Sequence, residues 1–507
     1  MKLIRWVSGY RGNILALAAG ASLTLAFAPF HLWPQAIFAP AILLYLWLRS
    51  SPSRAFLLGW LFGLGFFSTG VYWVFNSIHT FGNASLLLSC IITGGFIAFL
   101  ALFPAVTGFL LKRSFTEENS IKMLLAFPAL WVLVEILRSK IFTGFPWLLI
   151  GYSQVDTPLH GYASILSVYG VSLMTILSSG LIVNALLQYS QKNKWQGRIN
   201  LIALISIWVI GAILSTLTWT TPMGNPIQVS LVQGNIAQDI KWSPENIQPT
   251  LTKYEKLTQP HWDSKIIIWP EAAIPTTIQD AAEFVQKMSD QAEKHNATLI
   301  TGAPIKVVDN EGYYNAVISL GKEQGVYLKR LLVPFGEFTP FKKWMDKLLG
   351  SLNIPMSDFI PGAIIQRPIN ADGIKIGVFI CYEIAFAEQA LNHDKGIGLL
   401  LTVTNDAWFG HSIAQDQHLQ IAQMRAQETG RPLLFVANTG VTAIIKANGQ
   451  IQSAVVPFIT DTLTGNVQPR TGQTPWQRTS LDPMFITLAL MLFLARQMAK
   501  RRARKQE

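Results

Sequence analysis

The chain is short of charge. Only 14% of its 507 residues are Asp, Glu, Lys or Arg, and half are hydrophobic. A soluble chain usually carries about 25% charge, so the deficit excludes an ordinary soluble protein along the whole length. It is also uneven. Residues 1–220 are overwhelmingly apolar, 225–475 have the composition of a globular domain, and an apolar run with a basic tail follows. Cysteine is scarcer still, with Cys90 and Cys381 alone. Two cysteines exclude a disulfide framework, and Cys90, within the apolar run 86–92, reads as a small packing residue. Without a cysteine pair, and with His411 and His418 seven residues apart, the usual zinc spacings are missing.

What is abundant is long apolar sequence. Runs lie at 12–29, 33–49, 56–77, 84–111, 121–137, 161–187, 199–217 and 480–495. A spanning helix needs about 20 apolar residues, so seven spans are predicted before the globular part and one after it. The first run follows Lys2, Arg5 and Arg11, but the runs that follow it at once argue against a cleaved signal peptide. Lysine and arginine collect in alternate segments: Lys2, Arg5, Arg11; Arg49, Arg54; Lys112, Arg113, Lys122; Lys192, Lys194, Arg198; and Arg496, Lys500, Arg501, Arg502, Arg504, Lys505. The opposite short loops, near 30–32, 78–83 and 138–160, carry only Arg138 and Lys140. That bias predicts both termini in the cytoplasm and residues 218–479 on the far side. The net charge of +11 is then a topology and lipid-headgroup signal, and no nucleic-acid partner is expected. The loop 138–160 carries Phe145, Trp147 and Tyr152. It reads as an interfacial aromatic belt, or as a site at the outer membrane surface in which Arg138 and Trp147 take part and Arg138 holds a lipid phosphate through paired hydrogen bonds.

From 226 onward short β-branched runs alternate with amphipathic stretches. Strands are predicted at 227–233, 265–269, 298–303, 314–320, 325–330, 374–380, 398–404, 433–438 and 441–446, and helices at 244–258, 279–294, 385–393 and 413–429. Alternation of the two predicts an α/β domain. Polar residues stand where strands end: Glu271 after "IIIWP", Lys329 in "GVYLKRLLVPFGEF" with Glu337 further on, and Cys381 in "IGVFICYE". Strand ends are where α/β folds build sites. A thiol is nucleophilic as the thiolate, with an unperturbed pKa of about 8.5. A carboxylate can take its proton, and a lysine can lower its pKa and hold the oxyanion of a tetrahedral intermediate. The three groups together suit acyl transfer through a thioester. No histidine lies near these segments in sequence, which speaks against a papain-like pair. Singly, each has a plainer reading: a core thiol, a helix-terminal charge, a surface lysine.

The words "WPE" (269–271), "YLKRLLVPFGEF" (327–338), "CYE" (381–383) and "TNDAWFG" (404–410) together resemble the nitrilase, or carbon–nitrogen hydrolase, superfamily. With "LVQGNIAQDIKW" (231–242), "GYYNAVI" (312–318), "HLQIAQMRAQETGRPLLFVANTGVTAII" (418–445) and the flanking spans, the whole chain resembles the bacterial apolipoprotein N-acyltransferase family. The resemblance implies a membrane domain (1–220), a periplasmic four-layer αββα nitrilase-like domain (221–475), and a terminal span with a basic tail (476–507) in the inner membrane. It implies Glu271 as general base, Lys329 as oxyanion stabiliser and Cys381 as nucleophile. Glu337 supports the lysine or assists proton transfer, and Trp242, Tyr382, Glu383, Asn315, Arg138 and Trp147 match further positions that matter for activity. It implies a phospholipid acyl donor, with phosphatidylethanolamine expected, a diacylglyceryl-apolipoprotein acceptor, a monomer, and no cofactor or metal. The stretch 341–355, with Trp344, Leu348, Leu349 and Leu352 amid lysines, reads as a lipid-dipping lid or an ordinary surface helix. Two rivals are weighed. A membrane-tethered amidase would use the same three groups on a small amide, but a tether needs one span. A transporter would carry intramembrane ionisable residues, and Glu135 has few companions.

Overall fold

The computed structural model describes residues 9–82, 84–115, 119–307, 312–334, 336–338, 359–392 and 396–506. The 341–355 stretch, Lys2 and Arg5 lie outside them. The chain forms two compact units: Met1–Phe75, Ser85–Leu217 and Pro475–Glu507 in one, Asn76–Ala84 and Thr218–Thr474 in the other.

The first unit is helical. Helices lie at each apolar run: Tyr10–Leu23, Gln35–Leu48, Pro52–Gly70, Leu86–Ser114, Phe127–Arg138, Ala163–Ser190, Lys194–Thr216 and Asp482–Gln506. Their lengths differ widely. By length and composition, three described stretches can cross a membrane: Leu86–Ser114, Pro158–Ser190 and Lys194–Thr216. A fourth appears if Pro52–Gly70 and Val74–Phe81, bent by 63°, count as one. A 14-residue helix such as Gln35–Leu48 runs about 21 Å, short of the roughly 30 Å hydrocarbon layer. That helix instead buries Leu43, Leu44, Leu46 and Trp47 inside the bundle. Lys194–Thr216 is the opposite case. It buries only Gly197, Asn200 and Gly211, leaving its apolar surface for lipid.

The second unit holds strands β1 (Thr220–Pro222), β2 (Ile227–Gln233), β3 (Ile266–Ile268), β4 (Thr298–Lys306), β5 (Tyr313–Gly321), β6 (Gly325–Leu328), β7 (Ile369–Ala371), β8 (Ile374–Ile380), β9 (Leu399–Thr404), β10 (Leu433–Ala437), β11 (Thr442–Ile445), β12 (Ile451–Val455), β13 (Asp461–Val467) and β14 (Arg470–Gly472). They form a β1–β14 pair and two six-stranded sheets, β13-β2-β3-β4-β5-β6 and β12-β11-β10-β9-β8-β7. Side chains alternate along each strand, and the alternation assigns the layers. Val229, Leu231, Ile266 and Ile268 meet Ile376, Val378, Ile380, Leu401 and Val436 in the core between the sheets. Val232, Ile267 and Leu299 face outward onto Leu251, Tyr254 and Met288 of helices Pro244–Thr258 and Ala282–Lys294. Helix Ala414–Thr429 lies against the second sheet and buries nearly every side chain. The result is the αββα sandwich.

Two differences from the sequence reading bear on the site. The predicted helix over 385–393 is a pair of 3-10 turns, Cys381–Ala385 and Ala387–Asn392. And Asn76–Ala84, read as the end of the run 56–77 and a loop near 78–83, belongs with the sheets. Asn76 Nδ2 donates to the Phe409 carbonyl (2.9 Å), Ser77 Oγ to the Trp408 carbonyl (2.8 Å), and Phe81 meets Trp408 edge-on at 5.7 Å.

Gly302 on β4 shows how closely the site is backed. A Cβ there would stand 2.5 Å from the Ala272 nitrogen, 2.7 Å from Glu271 Cα and 2.8 Å from the Pro270 carbonyl oxygen, all backbone. Gly302→Ala should therefore cost about 1–3 kcal/mol of stability and displace the turn bearing Glu271. A thermal melt and a transfer assay check it; wild-type values in both would contradict the packing.

Candidate active site

Cys381, Glu271 and Lys329 are each delivered by the end of a strand. After β3, Trp269 and Pro270 carry the chain to Glu271, and Ala272 then turns with φ +48°. Lys329 follows β6 directly, its amide donating to the Asn315 carbonyl on β5 (2.8 Å). Cys381 follows β8 and takes φ +51°, a left-handed conformation that costs a non-glycine residue about 1–3 kcal/mol. Such strain turns a nucleophile out of its sheet.

Lys329 is 1% exposed. Its ammonium lies 2.8 Å from Glu337 Oε1 and 3.4 Å from Glu271 Oε1. Asn315 Nδ2 bridges the same two oxygens, 2.7 Å from Glu271 and 3.0 Å from Glu337. The other Glu271 oxygen accepts from the Asn405 amide (2.9 Å), and Glu337 Oε2 from the Val333 amide (2.8 Å). Burial alone would lower the Lys329 pKa, but Glu337 and then Glu271 overcome it and hold the ammonium well above its usual range. For Cys381, burial and then the Glu271 charge push the thiol well above its ordinary value, while Lys329 and hydrogen bonding with Thr404 pull it down. The resting sulfur is therefore a thiol.

The remaining expected residues divide. Glu383 is fully buried and staples two segments together: its carboxylate accepts from the amides of Arg330 (2.5 Å), Leu331 (3.2 Å) and Ile380 (2.8 Å) and from the Tyr327 hydroxyl (3.0 Å). It thereby fixes the residues after Lys329 against the residue before Cys381. Tyr382 packs edge-on against Phe386 at 5.1 Å. Trp242 is half-buried beside Lys241, and its indole nitrogen meets no acceptor among the described residues. Arg138 and Trp147 belong to the helical unit. Arg138 is buried and donates to the carbonyls of Phe145 (3.0 Å), Trp147 (2.6 Å) and Leu148 (3.4 Å). Trp147 is buried against Trp73 at 5.2 Å.

Several residues had escaped the sequence reading. Lys241, fully buried, donates to the Glu271 carbonyl oxygen at 3.1 Å, and burial lowers its pKa to about 8. The end of β9 adds Thr404, Asn405 and Asp406, a polar strand end like the other three. A histidine does reach the nucleophile after all: His418 Nε2 lies 3.2 Å from the Cys381 carbonyl oxygen. It contacts the backbone rather than the sulfur, and its place in the interior of a helix gave no spacing signal.

With this geometry in view, residues 228–475 match the carbon–nitrogen hydrolase family, and residues 19–181 match the apolipoprotein N-acyltransferase N-terminal domain. The sandwich and its strand-end carboxylate, ammonium and thiol thus sit in a protein of the carbon–nitrogen hydrolase class. An apolipoprotein N-acyltransferase of Coxiella burnetii is 44% identical over 95% of this chain and 99% of its own length, and one of Pseudomonas aeruginosa 39% identical over 99% of both. The chain belongs to the apolipoprotein N-acyltransferase family and is an acyltransferase. A solved carbon–nitrogen hydrolase superfamily protein of Xanthomonas campestris, 18% identical, covers 48% of this chain and 91% of its own at a TM-score of 0.36.

The charges at the sulfur generate a signed prediction. Alkylation of Cys381 by iodoacetamide should rise with pH only beyond the ordinary thiol range. Glu271→Gln removes a negative neighbour and should move the rise to lower pH; Lys329→Met removes a positive one and should move it higher. Each pH unit corresponds to about 1.4 kcal/mol. A Glu271→Gln profile displaced to higher pH would contradict the assignment.

Proposed function

We propose that this enzyme moves a fatty acyl chain from a membrane phospholipid to the α-amino group of an S-diacylglyceryl cysteine at a lipoprotein N-terminus, through a thioester on Cys381. Glu271 takes the thiol proton as Sγ attacks the ester carbonyl. Lys329, kept charged by Glu337 and Glu271, stabilises the oxyanion. The C–O bond breaks, Glu271 returns the proton to the leaving oxygen, and a lysophospholipid departs. The amine then attacks the thioester carbonyl, Glu271 accepts its proton, and the C–S bond breaks to restore the thiol. Two half-reactions on one sulfur imply ping-pong kinetics.

The observation that carries this reading is the pairing of one buried ammonium with two carboxylates beside a thiol held protonated at rest. That set activates the sulfur only when a proton can be handed to Glu271. Three long apolar helices in the same chain favour donors that reside in a bilayer, and the names of the relatives favour a lipoprotein acceptor. We further propose a monomer in the inner membrane, with both termini cytoplasmic, the sheet unit in the periplasm, and phosphatidylethanolamine as donor. Asn315 would hold Glu271 and Glu337 in register, and Glu383 would hold the lysine and cysteine segments together.

The test is the intact mass of the detergent-solubilised enzyme after incubation with phosphatidylethanolamine. The expected result is a hydroxylamine-labile gain of one acyl chain, absent from Cys381→Ala and discharged by a diacylglyceryl-cysteine peptide. No adduct on folded wild-type protein, with ammonia released from a small amide instead, would replace this reading with an amidase.

A further inference from the structure

A second cluster stands behind the nucleophile, and the mechanism above does not use it. His418 and Asp406 are both fully buried. His418 Nδ1 lies 3.0 Å from Asp406 Oδ1, and Nε2 lies 3.2 Å from the carbonyl oxygen of Cys381. Thr404 Oγ1 reaches the same Asp406 oxygen at 2.7 Å and also hydrogen-bonds the Cys381 thiol. The cluster therefore closes a ring: sulfur, Thr404, Asp406, His418, and back to the carbonyl of the residue that bears the sulfur. The ring is held rigidly. Phe435 on β10 meets the imidazole edge-on at 5.1 Å. A Cβ on Gly440 would stand 2.5 Å from Asp406 Oδ2, so the aspartate has little room to turn.

The chemistry of the two contacts is specific. A carbonyl oxygen accepts only, and an ionised carboxylate accepts only. The Cys381 contact is a hydrogen bond when Nε2 carries the ring proton and donates it to the carbonyl. The carbonyl it touches belongs to the peptide joining Cys381 to Tyr382. The N–H of that peptide is Tyr382's, the amide immediately after the nucleophile. In strand-to-helix elbows that amide is a donor to the oxyanion. Hydrogen bonding at one end of a peptide polarises the other end in the same sense. The contact also opposes relaxation of the left-handed Cys381 backbone.

We propose that His418, oriented by Asp406, is a positioning residue that fixes and polarises the Cys381–Tyr382 peptide so that its N–H joins Lys329 in holding the oxyanion. The imidazole does not touch the sulfur and takes no proton from it. This rests on acyl transfer at Cys381, but it makes a separate demand: His418 matters at a tetrahedral carbonyl adduct and not for the thiol's own reactivity.

Alkylation by iodoacetamide proceeds at the same sulfur without an oxyanion, so it separates the two. The test measures kcat and KM for N-acyl transfer, and the alkylation rate of Cys381, in the full-length enzyme and in His418→Ala and His418→Gln, with a thermal melt of each. Loss of an oxyanion donor typically costs 10²–10³-fold in kcat, and weakening one should cost less. His418→Ala should lower kcat about tenfold or more with KM little changed, while alkylation stays within about twofold. His418→Gln, whose amide can still donate to the Cys381 carbonyl, should recover part of the loss. Wild-type kcat in His418→Ala, or no recovery in a folded His418→Gln, overturns the proposal. So does alkylation falling in step with kcat in His418→Gln, since that marks a role in folding or in the thiol itself. Failure of the thioester reading would show separately, in the mass of the wild-type enzyme.

Discussion

A lysine with 1% exposure is tolerated in a protein interior only when its charge is answered. Lys329 is answered twice, by Glu337 and by Glu271, and much of the surrounding structure follows from that requirement. Removing one partner of a buried pair costs about 3–5 kcal/mol, so the carboxylates must be fixed in turn. Asn315 spans them, the Asn405 and Val333 amides take their outer oxygens, and Lys241 anchors the Glu271 main chain. The arrangement leaves a permanent positive charge beside the sulfur and a carboxylate within its electrostatic reach. Burial first, and then the Glu271 charge, raise the thiol against the pull of Lys329.

The fold supplies this geometry with strand ends. β3, β6 and β8 come from two sheets that share one apolar core, and each releases its functional residue just where the strand stops. Positive φ at Ala272 and Cys381 turns the chain sharply at two of the three points. Glu383 then pins the lysine segment to the cysteine segment across the sheets. Acidic side chains thus have two separate tasks here, one set facing the reaction and one holding its parts in register.

Much of this was legible in the sequence, and the reasons for the rest are physical. β2, β8 and helix Pro244–Thr258 announce themselves by short runs rich in β-branched residues and by an amphipathic period, and the candidate site residues stand just beyond strand ends. β7 and β14 are three residues long, and β13 carries only Leu463 and Val467 as apolar residues on its inner face, so periodicity says little about them. The carbonyl contacts of Arg138 were not legible, because nothing in the sequence shows which backbone oxygens a buried guanidinium will meet. His418 was missed because a buried polar helix shows no spacing that singles out one member. Helix lengths were not legible either: an apolar run tells composition, and only the structure tells where its helix breaks, as at the 63° bend after Gly70.

The central claim is that Lys329 remains an ammonium although it is buried. The most direct measurement is the Nζ nitrogen shift of Lys329 in detergent-solubilised enzyme labelled with 15N-lysine, assigned by its loss in Lys329→Met and followed from about pH 6 to pH 10. The account predicts an ammonium signal throughout that range, because Glu337 and Glu271 outweigh burial. A signal that moves to the neutral amine below about pH 9 would contradict it, and the oxyanion role of Lys329 would fall with it.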